Sequence, residues 1–296
     1  MYRVALVMVV GPGEGQMAVE VLEFAAHALP AATIFVLDDA TSDGTYDELK
    51  RYAERRSEVH LSRNSVPNGF IGLSRSVLRV LHEASGTPFD LIIKFDPDAL
   101  LIHAAYVERI WALFQEQGPG MAGSYRISAD GKHRDFSPHR RDVLLDIPPI
   151  GVTRRGGWNA LRVGWPAYIR YLPAALRNGY QLGEHCLGGM YALHGATVQA
   201  LRTSGFLDLH RQPLNARLVA EDALVALGVK SVGHALIDAN NPKTTPFTWV
   251  QYRPPFPLSA AEILQHGIAA VHPLKGEQGR EIRAALRPNL ETPVHV

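Results

Sequence analysis

The first hundred residues alternate between short apolar runs and segments with helical spacing of apolar residues. The apolar runs predict strands at Tyr2–Val10, Thr33–Leu37, Val59–Leu61 and Leu91–Phe95. The helical spacing predicts helices at Met17–Leu29, Tyr46–Arg55, Ile71–Leu81 and Ala105–Gln115. This alternation constrains the fold strongly, because strands joined by helical crossovers run parallel. The sequence therefore predicts an α/β fold with a mostly parallel central sheet and helices on both faces.

Composition limits the classes of partner and compartment. A net charge of +1 gives the 296-residue chain no global attraction to nucleic acid or to a membrane. The single cysteine, Cys186, excludes an internal disulfide and suits a reducing compartment. The apolar start runs into a Gly/Pro loop rather than a cleavage site, and no later run approaches the roughly 20 apolar residues that span a bilayer. We expect a cytoplasmic protein without a nucleic-acid partner, and this composition is compatible with peripheral contact at the inner face of a membrane.

Glycines follow the first predicted strand in the stretch GPGEGQ, residues 11–16. A dinucleotide-binding fingerprint needs its third glycine at position 16, where Gln16 stands, and Pro12 lies in the turn. The spacing argues against a dinucleotide-dependent dehydrogenase. A sugar-1-phosphate nucleotidyltransferase, another α/β enzyme that uses a metal, would carry a basic residue in this loop, and GPGEGQ has none.

Two carboxylates follow the fourth predicted strand, in the stretch LIIKFDPDALLIH at residues 91–103. Asp96 and Asp98 would repel each other and lose solvent there, so a neutralising partner is expected. Pro97 biases Asp96 away from helix, which predicts an extended segment with both carboxylates on one side. Carboxylate oxygens, together with substrate phosphates, are ligands that Mg²⁺ or Mn²⁺ takes. A loop turn with two solvated acids is the alternative. The sequence leaves the role of Lys94 in the same stretch open, and a simple pairing with a neighbouring acid is one interpretation of it.

A second acidic pair ends the second predicted strand, in LDDATSDGT at residues 37–45. Asp43 has the chemistry of a turn and of a helix entry. Asp38 and Asp39 are harder to explain in that way, and a carboxylate at this position can accept hydrogen bonds from a base or from ribose hydroxyls. Ligands of parallel sheets bind beyond the carboxyl ends of the strands, where both acidic pairs fall.

The middle of the chain breaks the strand–helix alternation. Residues 126–178 are rich in glycine, proline and aromatic residues, and they carry ten Lys and Arg residues against four Asp and Glu residues. Long irregular segments inside a compact domain tend to be functional loops or lids. A solvated basic surface is the alternative interpretation.

These motifs resemble those of the GT-A fold glycosyltransferases. LDDATSDGT is similar to the V-D-D-G-S-x-D-G-T pattern of the large family-2 group, with Ala40 for Gly and Thr41 for Ser, and IIKFDPDALL resembles the metal-binding D-x-D signature. The later blocks GGMYALHG, EDALVALG and VHPLKG resemble, in order, the G-x-x-Y-x-L, E-D-V and F-H-P-V-K segments of galactosyltransferase and fringe-like β-1,3-glycosyltransferases. Departures are Pro97, where an acid is common, Ala223 for Val, and a central segment without a counterpart.

The resemblance implies a GT-A (nucleotide-diphospho-sugar transferase) fold that moves a sugar, with inversion, from a nucleotide-sugar donor to a hydroxyl of a glycan or lipid-linked glycan. It favours a UDP-sugar as the donor. We predict one catalytic domain over residues 1–276, with about 126–186 as an acceptor-side insert or lid, and a C-terminal tail at 277–296. The basic, Trp- and Tyr-bearing middle would suit a sugar acceptor by stacking, or an anionic lipid-linked acceptor by charge.

The resemblance also implies roles for particular residues. Metal ligands would be Asp96, Asp98 and His272, and an imidazole ligand favours Mn²⁺ over Mg²⁺. Asp222 would be the general base with Glu221 beside it, although both acids also suit a helix N-terminus. The implied donor-binding residues are Val10, Asp38, Asp39, Arg75, Asp96, Gly188, Gly189 and Lys275. Arg75 on a solvated surface and Gly188–Gly189 as a simple loop are alternatives, and a nucleotidyltransferase or a non-catalytic sugar-binding relative are the alternative functions.

Overall fold

The computed structural model describes residues 2–146, 165–212, 220–241 and 243–287. Its strands, in chain order, are β1 (Val4–Val10), β2 (Thr33–Asp38), β3 (Val59–Arg63), β4 (Leu91–Phe95), β5 (Leu100–Leu101), β6 (Gly120–Gly123), β7 (Met190–His194), β8 (Ala235–Asp238), β9 (Thr248–Val250) and β10 (Ala270–His272). Its helices are α1 (Gly15–Ala28), α2 (Thr45–Ala53), α3 (Leu73–Ala84), α4 (Ala105–Gln117), α5 (Ser137–Asp146), α6 (Trp165–Arg177), α7 (Gly195–Thr203), α8 (Glu221–Ser231), α9 (Ala260–Gln265) and α10 (Gly276–Leu286).

The main sheet has the strand order β3-β2-β1-β4-β7-β6-β8, seven strands within the described residues. The pairs β3–β2, β2–β1, β1–β4 and β6–β8 are parallel, whereas β7 runs antiparallel to both β4 and β6. The predicted α/β fold with a mostly parallel central sheet is therefore confirmed. The predicted bounds of the first four strands and four helices differ from the observed bounds by at most about three residues, the usual uncertainty of element ends.

Apolar side chains pack on both faces of the main sheet because strand side chains alternate between the two sides. One cluster takes Leu6, Met8 and Val10 from β1 and packs against α1, α4 and α10. The other cluster takes the alternate β1 residues and packs against α3, α6 and α8. Each fully buried Val or Leu side chain contributes about 1.5–3 kcal/mol to this double core. Helices therefore cover both faces, and the open part of the sheet is its edge at the carboxyl ends of the strands.

A second, small sheet joins distant parts of the chain. Among the described residues it contains β5, β10 and β9, with β10 antiparallel to β5 and parallel to β9. Leu101 lies opposite Ala270, and Leu100 lies opposite Val271. This pairing brings the end of β10 next to the turn that follows β4. No local sequence pattern predicted it.

The predicted insert and tail are described in part. Within the insert, α5 and α6 are formed, whereas residues 147–164 lie outside the described residues. The predicted tail begins as α10, whose Arg283 Nε lies 2.8 Å from Glu20 Oε2 on α1, and residues 288–296 lie outside the described residues. A search of the described helices finds none with the length and apolar character needed to cross a membrane.

Candidate functional site

The chain turns immediately after β4, at Asp96 and Asp98. The Asp96 N–H donates to the Gly189 carbonyl at 2.9 Å, and the Ala99 N–H donates to the Asp96 carbonyl at 3.0 Å. The predicted extended segment is therefore wrong, because the chain must reverse here for β5 to reach β10. The alternative of two solvated acids is also wrong for Asp98, which is only 1% exposed.

The turn brings both carboxylates to His272 at the end of β10. The His272 Nε2 atom lies 3.7 Å from Asp96 Oδ2 and 3.5 Å from Asp98 Oδ1. One ligand atom from each of the three residues lies within 4.8 Å of the others. We call these three residues the Asp–Asp–His group. Two carboxylates and one imidazole form a donor set that suits a divalent cation such as Mn²⁺.

The orientation of the His272 ring supports this assignment. His272 Nδ1 lies 3.0 Å from the Gln251 carbonyl, which can only accept a hydrogen bond. Nδ1 therefore carries the proton in the neutral imidazole, and the lone pair of Nε2 points toward the two acids. A metal-binding histidine is usually fixed by such an outer hydrogen bond.

Asp98 supplies the observation that tests whether a cation fits. Both of its carboxylate oxygens are buried, and neither has a hydrogen-bond partner among the described residues. The nearest cationic side chain is Lys275, whose Nζ lies 3.7 Å from Asp98 Oδ2 and 4.0 Å from Glu14 Oε1. A buried carboxylate without hydrogen bonds is costly unless it is ion-paired or coordinates a metal. The residues present therefore fit a divalent cation.

Lys94 lies beneath this group, on β4, and is 1% exposed. Its Nζ donates to Asp96 Oδ1 at 2.5 Å, to the Gly188 carbonyl at 2.6 Å and to Glu221 Oε1 at 3.1 Å. Burial alone would lower the pKa of Lys94, but the carboxylates of Asp96 and Glu221 raise it well above its usual value. Lys94 is therefore a buried cation between the two acidic motifs.

Glu221 and Asp222 form the first turn of α8, and both are buried. Asp222 Oδ2 accepts from the Gly188 N–H at 2.8 Å, and Asp222 Oδ1 accepts from the Ala223 N–H at 2.7 Å. Asp222 therefore also binds a backbone N–H group in the first turn of α8, as the alternative role at a helix N-terminus predicts. Burial raises the pKa of Asp222 above its usual value, although the hydrogen bond from the Ala223 N–H and the charge of Lys94 oppose the shift. A raised carboxylate pKa suits a group that accepts a proton near neutral pH.

Gly188 and Gly189 lie where side chains would collide with the site. A Cβ on Gly189 would come within 2.1 Å of His272 Nδ1, and a Cβ on Gly188 within 2.5 Å of Glu221 Oε1. These separations are far shorter than a van der Waals contact. The two glycines therefore allow the segment just before β7 to pass directly against His272 and the start of α8.

A buried histidine, His185, and a half-buried arginine, Arg134, lie behind Asp222. His185 Nε2 lies 3.7 Å from Asp222 Oδ2 and 2.9 Å from a terminal nitrogen of Arg134. Its Nδ1 lies 2.8 Å from the Gly183 carbonyl. Burial and the charge of Arg134 lower the pKa of His185 to about 3, so the imidazole is neutral at pH 7. Sequence reasoning missed both residues, because neither lies in a recognisable motif.

Asp38 and Asp39 form a separate cluster after β2. Asp38 Oδ2 lies 3.0 Å from Arg63 Nε. Asp39 accepts from Asn64 Nδ2 at 2.6 Å and from the Gly69 N–H at 2.7 Å, with further bonds from the Asn68 N–H and Ser76 Oγ. The Asp39 N–H donates to the Val10 carbonyl at 3.0 Å, which places the end of β1 at the same edge. Asn64 and Asn68 were not predicted, since a lone asparagine in a loop carries no specific signal.

Arg75 on α3 belongs to the surroundings of the Asp39 cluster. Its Nε donates to the His210 carbonyl at 3.3 Å. With Asn64, Asn68 and Arg79, it lines a cavity of about 260 Å³. Arg75 therefore meets a cavity rather than only bulk solvent, and this cavity adjoins the amides that hold Asp39.

Comparison with known families decides the class of protein. The profile of glycosyl transferase family 2 matches residues 13–172, more than half of the chain. The chain belongs to glycosyl transferase family 2. The predicted glycosyltransferase class is thereby confirmed, and the match includes Asp38, Asp39, Asp96 and Asp98. It ends before α8 and β10, so the fringe-like later motifs stay a prediction. No curated protein matches the sequence.

Several solved glycosyltransferases are similar to this family-2 chain. The mannosyltransferase PcManGT from Pyrobaculum calidifontis, solved with GDP-Man and Mn²⁺, is 16% identical with a TM-score of 0.47, over 80% of this chain and 54% of that one. TarS from S. aureus is 13% identical with a TM-score of 0.43, over 80% and 35% of the two chains. The galactosyltransferase LgtC, solved with donor and acceptor sugar analogs, is 10% identical with a TM-score of 0.48, over 99% and 97%. The chain thus spans about half of the first protein and a third of the second.

Proposed function

We propose that this family-2 protein transfers a sugar from a nucleotide-sugar, with a UDP-sugar as the first candidate, to a hydroxyl of a glycan or lipid-linked glycan. The reaction would require a divalent cation and would invert the anomeric carbon. The observation that carries the proposal is the Asp–Asp–His group, in which the buried Asp98 carboxylate has no hydrogen-bond partner among the described residues. Asp96, Asp98 and His272 would hold Mn²⁺ or Mg²⁺.

A divalent cation bound there would offset the negative charge that develops on the leaving diphosphate. Lys275 is 55% exposed and lies 3.7 Å from Asp98 Oδ2, so its ammonium group can turn from Asp98 toward a phosphate. A lysine ammonium group is a common phosphate contact, because it acts as a compact point charge. Lys275 would therefore bind the diphosphate from the solvent side of the site.

Asp222 is the proposed general base. The acceptor oxygen would form a bond to the anomeric carbon while the bond from that carbon to the diphosphate oxygen breaks. The acceptor proton would pass to the Asp222 carboxylate, and the nucleoside diphosphate would leave. The N–H groups of Gly188 and Ala223 fix the direction of both Asp222 oxygens, and burial raises the pKa of Asp222 toward the working range of a base.

The distance between the Asp39 cluster and the Asp–Asp–His group suits a long ligand such as a nucleotide-sugar. β2 and β4 both flank β1, so the ends of these strands are about two strand spacings, or about 10 Å, apart. A nucleotide-sugar presents its base at one end and its diphosphate further along. We propose that the base and ribose bind near Asp39, Val10 and the Arg75 cavity, while the diphosphate reaches the Asp–Asp–His group.

An aromatic surface near Asp222 fits the acceptor. Tyr252 is 57% exposed and directly follows Gln251, whose carbonyl accepts from His272. Its ring centroid lies 6.2 Å from that of His139 on α5. Burial and the charges of Asp222 and Glu221 raise the pKa of Tyr252. A sugar ring can stack on such an exposed aromatic side chain, and we propose that this surface belongs to the acceptor side of the site.

Thermal unfolding with a panel of nucleotide-sugars, with and without Mn²⁺, tests the proposed function. We expect at least one UDP-sugar to stabilise the protein only when the metal is present. With that donor, Asp222→Asn should lower turnover about 100-fold or more while metal-dependent donor binding persists. Asp208→Asn, a change at a half-exposed acid, is the matched control. Turnover retained in Asp222→Asn would exclude the base assignment, and no stabilisation by any nucleotide-sugar would contradict the function.

A further inference from the structure

Lys94 is the residue that connects the two acidic motifs. All three protons of its ammonium group are used, because Nζ donates to Asp96 Oδ1, the Gly188 carbonyl and Glu221 Oε1. The other β4 side chains, Leu91, Ile92, Ile93 and Phe95, are apolar and buried. A lysine at this position is therefore an exception to the pattern of its own strand.

Stability alone does not account for a lysine here. Removing two charges from water costs several kcal/mol per ion, and an apolar side chain of similar volume often gives equal or greater stability. A methionine would continue the apolar run of β4 without that cost. The arrangement is better explained by the positions in which Lys94 holds its three partners.

The first partner of Lys94, Asp96, belongs to the Asp–Asp–His group. Lys94 occupies Asp96 Oδ1 at 2.5 Å, which leaves Asp96 Oδ2 facing His272 Nε2 at 3.7 Å. The carboxylate of Asp96 is thereby fixed with one defined oxygen toward the cation position. An outer partner of this kind sets the orientation of a metal ligand.

The other two partners of Lys94, Glu221 and Gly188, are neighbours of Asp222. Lys94 binds Glu221 Oε1 at 3.1 Å, and Glu221 directly precedes Asp222. It also binds the carbonyl of Gly188, the residue whose N–H donates to Asp222 Oδ2. Lys94 therefore contacts Gly188 and Glu221, two residues next to Asp222, without touching Asp222 itself.

We propose that Lys94 is a positioning residue that orients Asp96 toward the metal and holds the first turn of α8 at a fixed distance from it. The inference rests on the proposed function in that it takes the Asp–Asp–His group to be a metal site. Its consequence is that the metal ligand Asp96 and the base Asp222 move as one unit.

The proposal predicts a change opposite in sign to that expected from charge alone. Removing a cation from beside the carboxylates would tighten binding of Mn²⁺ by Coulomb's law. Removing a positioning residue would weaken it, typically 10- to 100-fold for an outer partner of a metal ligand. The sign of the change therefore separates the two explanations.

The test measures binding of Mn²⁺ alone, from the electron paramagnetic resonance signal of the free ion. We compare the unaltered protein with Lys94→Met and with Lys50→Met, a matched change at an exposed surface lysine. Lys94→Met should weaken Mn²⁺ binding at least about tenfold, and Lys50→Met should leave it unchanged. With an active donor at saturating Mn²⁺, kcat of Lys94→Met should stay reduced while the KM of the acceptor is unaltered.

Equal or tighter Mn²⁺ binding by Lys94→Met would overturn the proposal. If that variant does not fold, Lys94→Gln, which keeps an N–H donor, takes its place in the same measurement. Failure of both variants to fold would also overturn it, since Lys94 would then act in folding. The binding measurement needs no nucleotide-sugar, so absence of sugar transfer would contradict the proposed function without deciding the role of Lys94.

Discussion

At the scale of single residues, the site combines acids in opposite electrostatic situations. Both oxygens of Asp222 accept backbone hydrogen bonds, and one oxygen of Asp96 is bound to the Lys94 ammonium. The side chain of Asp98 has no hydrogen-bond partner among the described residues, although it is only 1% exposed, and Lys275 Nζ lies 3.7 Å from it. A protein tolerates this cost where the charge serves to bind a cation. Asp98 is therefore the residue at which a bound cation should add most to stability.

Asp98→Asn tests this contribution, because asparagine keeps the size of the side chain and removes the charge. Without metal, the variant loses the attraction of the Asp98 charge to His272 and Lys275 together with the cost of burying that charge, so its free energy of unfolding should change little. At Mn²⁺ equal to 100 times its Kd, the unaltered protein should gain about 2.7 kcal/mol, and a variant that binds tenfold more weakly would gain only about 1.4 kcal/mol. Thermal unfolding with and without Mn²⁺ measures both effects, with Asp208→Asn as the control. An equal gain from Mn²⁺ in both proteins would exclude Asp98 as a ligand.

At the scale of elements, the sequence predicts what local periodicity determines. β4 is predicted with its observed bounds, because four of its five residues are apolar and polar residues follow from Asp96. β5 and β10 are too short for a periodic signal, with two and three residues. Their pairing depends on contacts between segments far apart in sequence, which no local pattern records.

The same limit applies to the candidate site. The acids at the ends of β2 and β4 are predictable, because the carboxyl ends of parallel strands meet at one edge. His272 could be suggested only through the resemblance of VHPLKG to other glycosyltransferases. The distances from His272 to Asp96 and Asp98 come from the small sheet, and the turn after Asp96 contradicts the extended segment that Pro97 suggested.

The last described helix, α10, secures the segment that carries His272 and Lys275. Arg283 on α10 is 6% exposed and lies 2.8 Å from Glu20 of α1. Its guanidinium group also donates to the Leu274 carbonyl. The Leu274 N–H in turn donates to the Asp98 carbonyl at 2.8 Å. Packing of α10 on α1 is thus linked by hydrogen bonds to the turn that holds Asp98.

Arg283→Met should therefore weaken the fold near the site. It leaves the Glu20 carboxylate without its partner and the Leu274 carbonyl without a donor, which should lower the free energy of unfolding by about 1–3 kcal/mol. Arg287→Met is a matched control, because Arg287 forms an exposed ion pair with Glu23 on the same pair of helices. The control should change the free energy of unfolding by less than about 1 kcal/mol. Urea denaturation of the three proteins measures the difference. Equal losses of unfolding free energy in the two variants would show that the buried Arg283 contributes no more stability than the exposed Arg287.

At the scale of the whole molecule, the fold places its polar groups at one edge of a sheet that is apolar on both faces. Some of these groups are buried behind the candidate base, where His185 separates Arg134 from Asp222. His185 is fully buried, and a proton on it would lie against the guanidinium of Arg134. The folded protein therefore keeps His185 in its neutral form, and unfolding exposes the imidazole to solvent.

This difference makes the stability of the protein depend on pH with a definite sign. The pKa of His185 is lowered to about 3 in the folded protein, against about 6.5 in an unfolded chain. Between these values the unfolded state binds a proton that the folded state does not. The contribution of His185 is therefore fully present above about pH 6.5 and is lost as the pH falls toward 3, at up to about 1.4 kcal/mol per pH unit.

His185→Gln removes the titrating group and keeps an oxygen that can accept from Arg134. Relative to its own value at pH 7, the free energy of unfolding at pH 5 should fall by about 2 kcal/mol less in the variant than in the unaltered protein. Urea denaturation at pH 7, 6 and 5 measures this slope, and His266→Gln, a change at an exposed histidine, provides the control. Parallel slopes for the unaltered protein and His185→Gln would mean that His185 accepts a proton in the folded state. Arg134 would then have to move away from the ring, and the support behind Asp222 would itself change with pH.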